Sequence, residues 1–270
     1  MLIKVFIKGF LHLFIFFTLT MLTQIGGVIY FISLLIVSHK STKYKLKRIL
    51  LFIFIYATST FLIIPKVAPI FGRVQIENNK QLQAHNFITK LFNRNYVTPK
   101  MAAVLTTVSL SMQKEYPTIK VIYLDANFPF INGFPLLPHL SHNDGKKIDI
   151  SFIYQTKKGN LTNLKPSNTG YGVFVAPSKN EIHQAKICKE KGFWQYDFTK
   201  YITLGNFNTN LKLSEKATRS LITHILKNNA VSKLFIEPHL TARLKLHHTK
   251  IRFHGCAAVR HDDHIHFQIK

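Results

Sequence analysis

The first 76 residues contain no aspartate or glutamate, and they carry the two longest apolar runs of this 270-residue chain. The first run is FLHLFIFFTLTMLTQIGGVIYFISLLIV at 10–37, and the second is ILLFIFIYATSTFLIIP at 49–65. A membrane helix needs roughly 17–25 apolar residues, so the first is ample and the second just sufficient. Thr18, Thr20, Thr23 and Gln24 soften the first run without charging it. The pair predicts two transmembrane helices. A cleavable signal peptide is the competing reading, with Lys4 and Lys8 as its basic start and a cut near Gly26-Gly27. Apolar residues continue well past those glycines, however, and a second apolar run follows.

Orientation comes from the linker SHKSTKYKLKR at 38–48, which holds Lys40, Lys43, Lys45, Lys47 and Arg48. Short basic loops stay in the cytoplasm, so this loop is expected inside and both chain ends outside. A basic hairpin that only binds anionic lipid would say little about side. The segment from about Gln75 onward is then expected to be extracytoplasmic.

That segment is basic as well. Nine of the 36 Lys and Arg fall in 1–76, which leaves 27 basic residues against 12 acidic ones. Such a field attracts polyanions: nucleic acid, anionic lipid or an anionic wall polymer. No RNA-binding or helix-turn-helix pattern is present, and the expected side of the membrane argues against nucleic acid. Two cysteines, Cys188 and Cys256, are too few for a disulfide scaffold. In an oxidising compartment they can pair with each other.

Beyond the apolar runs, 80–115 reads as helix, turn at Thr98-Pro99, helix, with Leu82, His85, Phe87 and Leu91 as an approximate helical stripe. Strands are expected at 118–126, 146–155 and 231–238. The segment 127–145 is a loop broken by Pro129, Gly133, Pro135 and Pro138, and 156–172 is an exposed polar insertion. A helix over 214–230 has Ser214 as N-cap and buries Ala217, Leu221, Ile225 and Leu226. A short helix at 239–248, then IRFHG and DHIHFQI, complete the chain. Strands and helices mix without a regular βαβ repeat, so the class is α+β.

The chemistry concentrates in two fragments. VRHDDHIHFQIK at 259–270 places three histidines and two aspartates within six residues. In a strand, side chains two apart share a face, so His264 and His266 point one way and Ile265 and Phe267 the other. Two imidazoles on one face suit a zinc ion bound at about 2.0–2.1 Å, although a chain with 14 histidines can carry such a pair incidentally. In SHNDGKKID, Asp149 lies on the strand face opposite Ile148 and Ile150, and Gly145 lets the loop bring His142 back over the strand. A buried carboxylate needs a cation partner; alone, Asp149 also reads as a solvent-facing strand residue.

Together, His-x6-Asp followed far downstream by His-x-His resembles the metal signature of the lysostaphin, D-Ala-D-Ala metallopeptidase and sonic hedgehog group of zinc proteins. RHDDHIHFQI, LSHNDGKKIDI and VSKLFIEPHL are similar to segments of the penicillin-insensitive murein endopeptidases within that group. The resemblance covers roughly 118–270, with a poorly matched middle at 156–210. It does not extend to the two apolar runs, and it implies a small antiparallel-sheet metallopeptidase domain. With the transmembrane helices predicted from those runs, the expected organisation is an anchor with a basic cytoplasmic loop at 1–70, a helical linker at 71–117 and the zinc peptidase domain at 118–270.

Residue by residue, the resemblance implies His142, Asp149 and His266 as zinc ligands. It implies His264 as the proton-handling or oxyanion-stabilising residue and His261 as a further active-site histidine. The chain must bend near Asp262-Asp263 to bring His261 and His264 to one side, and either aspartate can orient an imidazole. A bound zinc lowers the pKa of its water to about 7 and polarises a scissile carbonyl. No His-Glu-x-x-His motif is present, so base work falls on histidine. Where the family carries an acidic and Arg-Asn element, this chain offers only Arg219; Arg243, Arg252 and Arg260 are alternatives for holding a substrate carboxylate. Tyr123, Asp125 and Asn127 are candidates for the cleft border.

The implied function is hydrolysis of D-alanyl cross-links in bacterial peptidoglycan, from the inner membrane with the catalytic domain in the periplasm. A D,D- or L,D-carboxypeptidase, a non-catalytic zinc-binding wall protein and a basic nuclease are the alternatives.

Overall fold

The computed structural model describes residues 2–270. The first apolar run does not form one helix. It breaks at Gln24-Ile25 into α1 (Leu2–Thr23) and α2 (Gly26–Ile36), which fold back on each other. Gln24 adopts φ 69°, the left-handed turn that separates them. Gly27 makes the close approach possible: a Cβ there would lie 2.0 Å from Thr20 Oγ1 and 2.4 Å from the Phe16 carbonyl oxygen. His12 Nδ1 and Tyr30 Oη meet at 2.6 Å, which fixes the antiparallel register.

The basic loop therefore returns to the end where α1 begins, contrary to the expectation that both chain ends lie opposite it. α3 (Tyr44–Thr58) then runs back and continues, through a wider turn at Ser59–Ile63, as far as Phe71. The widening precedes Pro65, which cannot donate to the helical ladder and whose ring crowds the preceding turn. Val5–Thr23 and Tyr44–Phe71 are long and apolar enough to cross a membrane. The 24–25 turn touches the rest of the protein, where Asn93 Nδ2 donates to the Thr23 carbonyl and the Phe130 amide donates to Gln24 Oε1.

The remaining chain builds a six-stranded sheet from β1 (Leu82–Ala84), β2 (Val121–Tyr123), β3 (Lys147–Ser151), β4 (Val231–Phe235), β5 (Ile251–Arg252) and β6 (His264–Ile269). Its order is β5-β4-β6-β3-β2-β1. The four central strands are antiparallel, but both edges pair in parallel, so the sheet is mixed rather than the antiparallel sheet expected. Helices α4 (Pro99–Glu115) and α5 (Glu215–Lys227) pack on it and on each other. Ile148, Ile150, Ile265 and Phe267 face them in the core. Ser214 caps α5 by position, and Ala217, Leu221, Ile225 and Leu226 are buried, as the apolar spacing anticipates.

The helix expected at 80–98 is absent. Leu82–Ala84 instead pairs with Val121–Tyr123, and Asn86 accepts a hydrogen bond from the Thr89 amide to start the short helix Phe87–Leu91. A parallel partner strand overrides a weak helical stripe. Residues 71–117 thus supply a strand and a helix to the same sheet and core. The 156–172 segment is not a free insertion either: Leu161–Thr162 joins a small three-stranded sheet, and Lys165, Ser167 and Tyr171 are buried.

Candidate metal centre

The register of β3 against β6 sets His266 directly opposite Asp149. Cross-strand partners share a face, so the apolar neighbours of both residues turn to the core while these two turn to the other side. His142 reaches them from the loop before β3. Gly145, at φ 76°, turns that loop, and its amide is held by Asn127 Oδ1 at 3.0 Å.

Three ligand atoms then converge: His142 Nε2 is 3.2 Å from Asp149 Oδ1 and 3.1 Å from His266 Nδ1, and His266 Nδ1 is 2.8 Å from Asp149 Oδ1. Donors about 2.0–2.1 Å from a tetrahedral zinc stand about 3.3 Å apart, so the triangle has nearly the size a zinc ion requires. Its chemistry fits as well. His142 Nδ1 donates to the Ala126 carbonyl at 2.7 Å, which turns Nε2 toward Asp149 Oδ1 and the His266 ring. A backbone carbonyl behind the ring is a common support for a metal-bound histidine.

Asp149 and His142 are fully buried. Burial alone would raise the Asp149 pKa, but His142, His264 and His139 around it hold the carboxyl well below the usual carboxylate range. Burial pushes the His266 pKa down to about 4, against the pull of Asp149. A carboxylate and neutral imidazoles are the protonation states that ligation needs.

His264 lies one strand pleat away, with Nε2 3.6 Å from Asp149 Oδ1 and no hydrogen-bond partner of its own. Asp263 Oδ1 accepts from His264 Nδ1 at 2.5 Å, so of the two aspartates it is Asp263 that orients this ring. Burial opposes the charged ring, but Asp149 and Asp263 outweigh it and raise the His264 pKa to about 9. Asp262 turns the other way and pairs with Arg260. The chain bends across 262–263, and His261 comes to 4.7 Å from the His264 ring and 5.6 Å from the His266 ring, centre to centre.

Several residues at the site lie outside the sequence motif. His139 Nδ1 is 3.3 Å from Asp149 Oδ2, so His139, Asp149 and His264 form a second set of atoms able to hold an ion. Its only sequence signal is its place three residues before His142. Tyr171, from the polar 156–172 stretch, donates to Asp149 Oδ2 at 2.8 Å and packs against the rings of His139 and His264. Gly172 N donates to Asp263 Oδ2 at 2.6 Å, which ties that strap down. Asp125, proposed for the cleft border, stands behind Tyr171 at 3.4 Å and is paired with Arg94, which neither fragment suggested. Tyr123 is core, and Asn127 serves the loop backbone.

The basic candidates are engaged elsewhere. Arg243 pairs with Glu181, and Arg260 with Asp197 and Asp262. Arg252 donates to carbonyls of its own segment, and Arg219 borders a groove with Glu115 on the helical face. Cys188 and Cys256 form a disulfide. No protein-family model matches the chain, and no curated protein is significantly similar to it.

Proposed function

We propose that the protein is a zinc metallopeptidase of bacterial peptidoglycan, anchored in the inner membrane by its N-terminal helices, with the sheet domain in the periplasm. The observation that carries this reading is the triangle of His142 Nε2, Asp149 Oδ1 and His266 Nδ1, with sides of 2.8–3.2 Å. Zinc held there would supply Lewis-acid activation of water and of a peptide carbonyl. His264, its ring oriented by Asp263, then has Nε2 free to stabilise the oxyanion or hand a proton to the leaving amine. His261 is close enough to share that proton. The Cys188–Cys256 disulfide agrees with an oxidising compartment. The net positive charge of the domain suits an anionic wall, and the substrate is a D-alanyl cross-link by the family resemblance.

A second reading is favoured by burial: none of the five motif residues exceeds 6% exposure. A non-catalytic zinc-binding wall protein needs no cleft, whereas a peptidase acting on a polymer must open the strap that carries Tyr171. Digestion of cross-linked muropeptides by the purified full chain separates the two. Cleavage abolished by a chelator and restored by zinc is the expected result. Stoichiometric zinc without cleavage under any condition favours the binding protein, and absence of zinc removes both readings.

A further inference from the structure

Beside the first cluster lies another group of metal-binding side chains, outside the ligand set that the tail motif suggests. Glu237 lies two residues beyond β4, at the N-cap of the short helix α6 (Pro238–Arg243); His254 follows β5; His261 precedes the bend into β6. Each offers one ligand atom, and these atoms lie within 4.8 Å of one another. His254 Nε2 is 3.3 Å from Glu237 Oε1, and the His254 and His261 rings are 4.1 Å apart, centre to centre.

Glu237 is held in place from behind. Tyr196 Oη lies 2.8 Å from both carboxylate oxygens, and the His261 amide donates to Oε1 at 2.9 Å. Two buried nitrogens in the group, His254 Nδ1 and His261 Nδ1, have no hydrogen-bond partner. A buried polar atom without a partner is destabilising, and two in one cluster leave a place for an occupant that supplies partners. Phe235 flanks both groups, its ring 5.4 Å from His266 and 6.4 Å from both His254 and His261.

We propose that Glu237, His254 and His261 form a second divalent-metal site adjoining the first. Two imidazoles and one carboxylate suit zinc or a similar transition ion better than magnesium or calcium, which prefer all-oxygen sites. Glu237 already accepts from Tyr196 and from the His261 amide, which weakens it as a donor to an ion and makes this site the weaker of the two. Occupancy ties His261 to an ion and withdraws it from proton transfer. This consequence rests on the hydrolase reading and makes zinc in excess of one equivalent an inhibitor.

The test is zinc stoichiometry on the detergent-solubilised full chain, stripped by chelation and titrated with Zn2+ against a chromogenic competitor. Wild type is expected to bind two ions, the second at least about tenfold more weakly. His254→Ala and Glu237→Gln each lose the weaker ion and keep the tighter one, while Asp149→Asn loses the tighter one alone. A single ion in wild type, or a second ion that persists in both His254→Ala and Glu237→Gln, overturns the site. The wild-type stoichiometry decides even where one variant fails to fold. A tight ion retained in Asp149→Asn would instead count against the first centre, leaving the second to be judged by its own variants.

Discussion

In α1 and α2 the large side chains face outward: Phe6, Phe10 and Phe14 are 80%, 70% and 60% exposed, while Thr23, Gln24 and Ser33 are buried. In the sheet domain Ile148, Ile150, Ile265 and Phe267 are buried, and the surface is basic. The two regions show opposite patterns of exposure. Exposed apolar surface in water is unfavourable by about 25 cal/mol per Å2, so the outward phenylalanines make sense only against lipid or another apolar partner. Within the domain the densest set of buried ionisable groups is the one around Asp149. Desolvated charges are retained when they pair or hold an ion, and there the pairing is a ring of histidines.

The comparison is broken most sharply by topology. The hairpin of α1 and α2 brings Lys8 and the loop residues Lys40 and Lys43 to one end and the sheet domain to the other. Short basic segments remain cytoplasmic. Alkaline phosphatase fused after Lys270 should therefore be active, and fused at Ser41 inactive. The outcome is all-or-none, and an active Ser41 fusion would invert the membrane reading.

The next largest effect separates ligand from catalyst inside the domain. His142→Ala should lose the tight zinc and all cleavage. His264→Ala should keep the zinc and lose about 10^2 to 10^4-fold in kcat, the usual contribution of a positioned acid-base group. Retained cleavage in His264→Ala would leave that ring with a packing role only. Equal zinc loss in both variants would make His264 a ligand.

How much of this was legible follows from the range over which each signal acts. Asp149 and His266 were readable because strand alternation is local, and Ile148, Ile150, Ile265 and Phe267 mark the opposite face. Their pairing adds only register. The bend at Asp262-Asp263 was required by the same alternation. His139, Tyr171, Glu237 and His254 were not readable: they reach their clusters through loops with no period, and Tyr171 and Glu237 come from segments remote from the two motif fragments. The break at Gln24 was hidden because a two-residue turn barely lowers the hydropathy of a long run. The parallel edge strand Leu82–Ala84 is too short to show alternation against the helical stripe around it.

Lys165 sharpens the comparison at its quietest point, because it is a buried charge away from the histidine clusters. Its ammonium donates to the Phe152 carbonyl at 2.9 Å and lies 5.4 Å from the centre of the Tyr154 ring. Burial without a carboxylate partner lowers its pKa to about 7. The unfolded chain keeps the proton up to about pH 10.4, so between about pH 7 and about pH 10 it binds more protons than the native state. Stability must then rise with pH across that window, with the penalty fully present below it. Each pKa unit corresponds to about 1.4 kcal/mol, and relaxation around the site reduces the total to a few kcal/mol. Lys165→Met removes the charge, while Ser151 Oγ still donates to the Phe152 carbonyl. The variant should be more stable than wild type near neutrality, and the difference should shrink toward about pH 10. Parallel pH profiles for the two proteins in thermal unfolding would mean that water reaches Lys165, leaving buried charge confined to residues paired in clusters.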